Sequence, residues 1–219
     1  MSVKGFIFDL DGVITDTAEY HFEAWQNLAK NYDITIDREF NEQLKGISRM
    51  DSLDRILNHG GRETDFTEAQ KEEMASEKNG EYVKLIEKMT PEHILPGVLD
   101  FLNELKEHNY LLGLASASKN GPVILERLNL SGYFDTIVDP SLLAKGKPDP
   151  EIFLTAAHQL GVKPEECVGI EDASAGIEAI NKAKMFSVGV GDKESMKEAD
   201  YRLDSTEGLV LDVILNKVK

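Results

Sequence analysis

The stretch Phe6-Ile7-Phe8-Asp9-Leu10-Asp11-Gly12 constrains this chain more than any other. Gly5 to Phe8 form a short, mostly apolar run without polar alternation. Such a run suits a strand covered on both faces, as in a parallel sheet between helices. It ends in two carboxylates one residue apart, and Gly12 then frees the backbone. In an extended segment residues i and i+2 point the same way, so Asp9 and Asp11 can face one small volume. The carboxyl end of a buried strand is where open α/β sheets bind ligands. Two acids there repel each other unless a cation or a proton intervenes. The alternative is a solvated strand end, and later segments that repeat the pattern weigh against it.

From residue 16 to about residue 92 the periodicity is helical, with no convincing strand. Phe22, Trp25, Leu28 and Ala29 mark an amphipathic helix from about Thr17 to Lys30. Phe40, Leu44 and Ile47 predict a second, shorter helix. Ser48 reads as an N-cap with Asp51 three residues on, and Gly60-Gly61 stop the helix that it starts. Thr67 opens a long charged helix, with Met74, Val83, Ile86 and Met89 expected on its inner side. After Pro91 and Pro96-Gly97, strands and helices alternate. Strands are expected at Tyr110–Ala115, Thr136–Val138, Cys167–Ile170 and Phe186–Val190, with helices between them and a last helix through Val210, Val213 and Ile214. That alternation predicts an α/β fold: a doubly wound, Rossmann-like parallel-sheet core. Residues 1–15 and 93–219 would form this core, and residues 16–92 an inserted all-helical cap.

Composition narrows the partners. A formal net charge of -16 argues against nucleic-acid or anionic-membrane binding, both of which need a basic patch. No apolar run approaches membrane-spanning length, and Asp9 and Asp11 interrupt the only early one, so neither a membrane span nor a signal peptide is expected. Cys167 is the one cysteine, read as a small buried hydrophobe. A cytoplasmic monomer is the expectation.

Three strand ends carry chemistry: Asp9/Asp11, Ser116 and Glu171/Asp172. A parallel sheet collects them on one edge. Four carboxylates converging with a hydroxyl would bind a hard, oxygen-seeking cation such as Mg2+. Alone, Glu171-Asp172 would read as acids favoured by a helix dipole. Ser116 opens Ser-Ala-Ser-Lys-Asn-Gly-Pro before a helix, where a hydroxyl and amides suit a phosphate. An ordinary helix cap remains open for Ser118 or Asn120. Lys147, held before Pro148, can reach a phosphate as a point charge, whereas Lys145 reads as an exposed loop lysine. In the helical block, Lys45, Gly46 and Arg49 sit at a helix-to-helix turn, and arginine suits phosphate recognition. Spacing alone would make them a surface group. His21 lies one turn after Thr17, and spacing leaves its role open. Trp25 reads as packing.

Asp9-Leu10-Asp11-Gly12-Val13, followed in order by Ser116, Lys147 and Glu171-Asp172, resembles the haloacid dehalogenase superfamily over almost the whole chain. Lys45-Gly46-Ile47-Ser48-Arg49 and Ser116-Ala117-Ser118-Lys119-Asn120-Gly121 narrow the resemblance to a sugar-phosphate mutase branch of it. The resemblance implies interconversion of β-D-glucose 1-phosphate and glucose 6-phosphate through β-glucose 1,6-bisphosphate. It implies Asp9 as nucleophile and Asp11 as general acid-base. Mg2+ would be held by Asp9, Asp11 through its backbone carbonyl, Glu171 and Asp172. Ser116, Lys147 and Arg49 would bind phosphate. Thr17, His21, Lys45, Gly46, Lys78, Ala117, Ser118 and Asn120 would line the sugar. A sugar-phosphate phosphatase is the alternative, and a non-catalytic sensor a remoter one. Ala173 departs from the serine usual in close relatives, so altered tuning of the metal site is expected.

Overall fold

The structure, a computed structural model, describes residues 2–44 and 47–218. Among them β1 (Gly5–Phe8) is the centre of a six-stranded sheet ordered β3-β2-β1-β4-β5-β6. Its neighbours are β2 (Leu111–Leu114) and β4 (Cys167–Glu171). β3 (Thr136–Ile137) lies on one edge, and β5 (Phe186–Val190) and β6 (Tyr201–Leu203) on the other. Every pairing is parallel. Phe6 and Phe8 point into one core layer with Phe101, Leu102, Ile124 and Ile214, and Ile7 into the other with Phe153, Ile177 and Ile180. The apolar run therefore has no polar face because helices cover both sides of the sheet. Those helices are α5 (Val98–Glu107), α6 (Gly121–Arg127), α7 (Glu151–Leu160), α8 (Ser174–Lys182) and α9 (Leu211–Lys217). Full burial of each large apolar side chain is worth about 1.5–3 kcal/mol.

Between β1 and α5 lie α1 (Ala18–Asn31), α2 (Arg38–Glu42), α3 (Arg49–His59) and α4 (Glu68–Ile86). They share a cluster of their own, built on Phe22, Trp25, Ile36, Leu53, Leu57 and Met74. Ser48 caps α3 by accepting from the Asp51 N–H, and Thr67 with Gln70 forms a capping box on α4. The chain crosses between the sheet and these helices twice, and the crossings run side by side. Thr15 Oγ1 donates to His93 O at 2.7 Å, and the Leu95 N–H to Ile14 O at 3.0 Å.

Three expectations change. β6 was not foreseen, because Tyr-Arg-Leu is a short edge strand without an apolar run. α2 ends at Glu42, so Leu44 packs from a turn and Ile47 lies beyond it. On α4, Val83 is half-buried and Met89 lies past the helix end. The inner stripe is instead Met74, Ala75, Lys78, Tyr82 and Ile86, a run at i, i+4 spacing with a lysine in its middle. Cys167 is buried, and burial pushes its thiol up to about 12, as suits an inert hydrophobe.

Candidate active site

The register of the sheet builds the site. Phe8 lies level with Leu114 and Ile170, so the residues that follow, Asp9, Ala115 and Glu171, reach one end of the sheet together. The Asp9 N–H donates to Ile170 O and the Ala115 N–H to Phe8 O, which extends the pairing by one residue. Asp9, Ser116 and Glu171 thus meet at one edge, where strand order reverses direction about β1.

Lys147 sits in the middle of this edge, its side chain 0% exposed. Its Nζ donates to Asp9 Oδ1 at 2.6 Å and to Glu171 Oε2 at 2.7 Å. Glu171 Oε1 accepts the N–H groups of Asp172 and Ala173. An ideal Cβ at Gly176 would fall 1.9 Å from Glu171 Oε2, so the first turn of α8 passes close only because it carries no side chain there. Burial first, and Glu171 second, push the Asp9 carboxyl up to about 7, against the pull of Lys147. Carboxylate oxygens of Asp9, Glu171 and Asp172 lie within 4.8 Å of one another. Gly12, at φ +73°, lets the backbone turn beneath Asp172, whose Oδ2 is 2.0 Å from where a Cβ would be. Lys147 contacts two of these three acids, Asp9 and Glu171, and the all-oxygen donor set suits a hard divalent cation.

The sequence placed four carboxylates in that cluster, and among the described residues the structure gathers three. Asp11 turns its side chain toward the helices instead. Its Oδ1 accepts the Thr17 backbone N–H at 3.3 Å and the Thr17 hydroxyl. Thr17 Oγ1 in turn accepts from Tyr82 Oη at 3.0 Å. Burial raises the Asp11 carboxyl above its ordinary value, with the Thr17 contacts opposing. Asp9 and Asp11 still line the same cleft of about 590 Å³, within the range of small-molecule sites.

The cleft separates the sheet edge from α1, α3 and α4. Ser116, Ala117, Ser118 and Asn120 line its sheet side, and His21, Arg49 and Lys78 its helical side. Ser116 Oγ accepts the Ser118 N–H, and Ser118 Oγ the Asn120 N–H. Asn120 stands at the N-cap of α6 but its side chain makes no capping bond. It reaches across to Asn79 of α4, which also holds Arg49. Lys78 Nζ lies 2.7 Å from His21 Nδ1 and 4.7 Å from the Trp25 and Tyr82 ring centroids. Burial and then Arg49 bring Lys78 down to about 7, and burial holds His21 well below the usual histidine range. His21 is stacked on Tyr82, with ring centroids 4.0 Å apart, and its Nδ1 faces Lys78 Nζ. Trp25 packs in the helical cluster while its face carries Lys78. Lys145 is exposed, paired with Asp149 at 3.5 Å. Lys45 and Gly46 lie outside the described residues. Sequence reasoning missed Asn79 and Tyr82. The legible signal for Tyr82 was a polar residue, Lys78, inside an i, i+4 apolar stripe.

Comparison with known proteins agrees with this geometry. The family model of haloacid dehalogenase-like hydrolases matches residues 3–184. Beta-phosphoglucomutase of Bacillus subtilis strain 168 is 55% identical over 97% of this chain and 94% of its own length. A phosphorylated carbohydrates phosphatase of Thermotoga maritima is 32% identical over 83% of this chain and 82% of its own. The crystal structure of beta-phosphoglucomutase from Clostridium difficile superimposes with a TM-score of 0.97 at 53% identity, covering 99% of this chain and 97% of that one. A sheet edge carrying Asp9, Ser116, Lys147 and Glu171-Asp172 in that order, together with these matches, means that the chain belongs to the haloacid dehalogenase-like hydrolase family.

Proposed function

We propose that this protein is a β-phosphoglucomutase, interconverting β-D-glucose 1-phosphate and D-glucose 6-phosphate through β-glucose 1,6-bisphosphate. The observation that carries this reading is 55% identity to the Bacillus subtilis mutase across almost the whole chain, against 32% to the Thermotoga phosphatase. The cleft supports it with a cation, Arg49, on the side opposite the acids, and an amide, Asn120, on the sheet side.

Asp9 is the nucleophile. Its carboxylate attacks phosphorus, the bond to the sugar oxygen breaks, and an aspartyl-phosphate forms. Asp11 is the general acid-base. It gives its proton to the departing sugar oxygen and takes one from the hydroxyl that attacks in the return step. A carboxyl raised by burial and held by Thr17 suits that exchange. Lys147 and Ser116 stabilise the charge on the transferring phosphoryl group. Asp9, Glu171 and Asp172, with the Asp11 carbonyl, would hold Mg2+, which supplies positive charge against the acids and the phosphate. Arg49 grips the distal phosphate, and His21, Lys78, Ala117, Ser118 and Asn120 line the cleft that would hold the sugar, with Thr17 bonded to Asp11. The bisphosphate must turn end for end between half-reactions. Residues 16–92 would open as a cap about the paired crossings at Thr15 and Ile94.

The reading includes a monomer acting on small sugar phosphates. A single buried cysteine fits a cytoplasmic setting. The test is the product made from β-glucose 1-phosphate with Mg2+ and a trace of bisphosphate. Glucose 6-phosphate is expected. Free glucose with inorganic phosphate would make the enzyme a phosphatase instead.

A further inference from the structure

One carbonyl oxygen joins the helical insert to the sheet-bearing part of the molecule beside the cleft. Asn79 Oδ1, on α4, accepts from Arg49 Nη2 at 2.7 Å and from Asn120 Nδ2 at 2.9 Å. Arg49 opens α3 in the insert, whereas Asn120 precedes α6 on the sheet side. All three residues are half-buried. Among the described residues Arg49 forms no ion pair with a carboxylate, so the amide holds the guanidinium without cancelling its charge. Two donors converging on one oxygen from opposite walls is the arrangement that a phosphate oxygen would meet.

We propose that Asn79 is a positioning residue for the distal phosphate, its amide oxygen holding the Arg49 and Asn120 donors together until a phosphate oxygen takes its place. This rests on the mutase reading above and extends it. A neutral acceptor pre-aligns the donors yet gives way readily to a dianion. A ligand with one phosphate, seated at Asp9, leaves the Asn79 contacts in place. A bisphosphate exchanges them for charge-assisted ones.

The test compares KM and kcat of wild type, Asn79→Asp and Asn79→Ala for β-glucose 1,6-bisphosphate and for acetyl phosphate, each with Mg2+. Asn79→Asp keeps the shape but pairs Arg49 with a carboxylate that repels phosphate. Its KM for the bisphosphate should rise at least about tenfold, and several times more than its KM for acetyl phosphate. Asn79→Ala keeps the charge and loses the alignment, so a selective rise of roughly two- to fivefold is expected. It carries the test if thermal unfolding shows that the aspartate variant is unfolded. Proportional rises on both substrates, or a fall in kcat with KM unmoved, would overturn the proposal. Wild type that releases glucose rather than glucose 6-phosphate from β-glucose 1-phosphate would overturn the mutase reading and this inference together. Mutase activity in wild type with Asn79→Asp at parity would overturn this inference alone.

Discussion

In the proposed mechanism a proton, a cation and a phosphoryl group would compete for the one carboxylate of Asp9. Its carboxyl is raised from 3.8 to about 7 by burial and by Glu171. The sign follows from proton binding. Without metal, the folded protein holds this proton between those two values and the unfolded chain does not. Asp9 then contributes stability that is present below about 3.8 and lost as pH rises through about 7. A divalent cation held by Asp9 would have to displace the same proton. Mg2+ affinity, measured by calorimetry, should therefore rise close to tenfold per pH unit below about 7 and level off above it. In Asp9→Asn that dependence should disappear along with turnover. Mg2+ affinity that does not change between pH 5.5 and 7 in wild type would remove Asp9 from the ligand set.

Helix α8 begins next to the acids and lacks a cap. Ala173 is its N-cap residue, with extended backbone (φ -110°, ψ 141°) and no side-chain capping bond. Its N–H already donates to Glu171 Oε1. Restoring a hydroxyl there should satisfy a free N–H of the first turn. Ala173→Ser is expected to stabilise the protein by about 1 kcal/mol. For a chain of this size that is a rise in Tm of roughly 2–4 °C, read by calorimetry. A lower Tm would mean that the hydroxyl disturbs Glu171 or Asp172 rather than capping the helix. On α4 the opposite device operates. Lys78 sits in a buried stripe with its Nζ against the Trp25 and Tyr82 rings and His21 Nδ1.

The molecule places its acids on the sheet edge and its arginine on the inserted helices, with the cleft between them. Mutase turnover needs both walls, because the bisphosphate carries a phosphate at each end. Arg49→Ala should therefore damage mutase turnover far more than hydrolysis of acetyl phosphate. A charge-assisted contact is worth roughly 1.5–3 kcal/mol, so the mutase rate should fall by about one to two orders of magnitude. The measurement is both activities on one preparation of the variant. Equal losses would assign Arg49 to general cap docking. Intact mutase activity would move the distal phosphate to another cation, with Lys119 beside it in the cleft.

Much of this was written in one dimension. A continuous apolar run implies a strand covered on both faces, whatever else the chain does, and β1 obeys that rule. Residues at strand ends follow from the run and from parallel pairing, which is why Asp9, Ser116 and Glu171 could be brought together from sequence. Local capping was equally legible at Ser48 and Thr67, since each signal lies within four residues. Tertiary contacts decided the remainder. Asp11 leaves the acid cluster because Thr17, six residues on, offers its side chain two hydrogen bonds. Lys147 is drawn into the core by two carboxylates, 138 and 24 residues away in sequence. Asn79 meets Arg49 and Asn120 across 30 and 41 residues. Those partners depend on how the helices dock over the sheet edge, and no periodicity or propensity along the chain encodes a distance between its two walls.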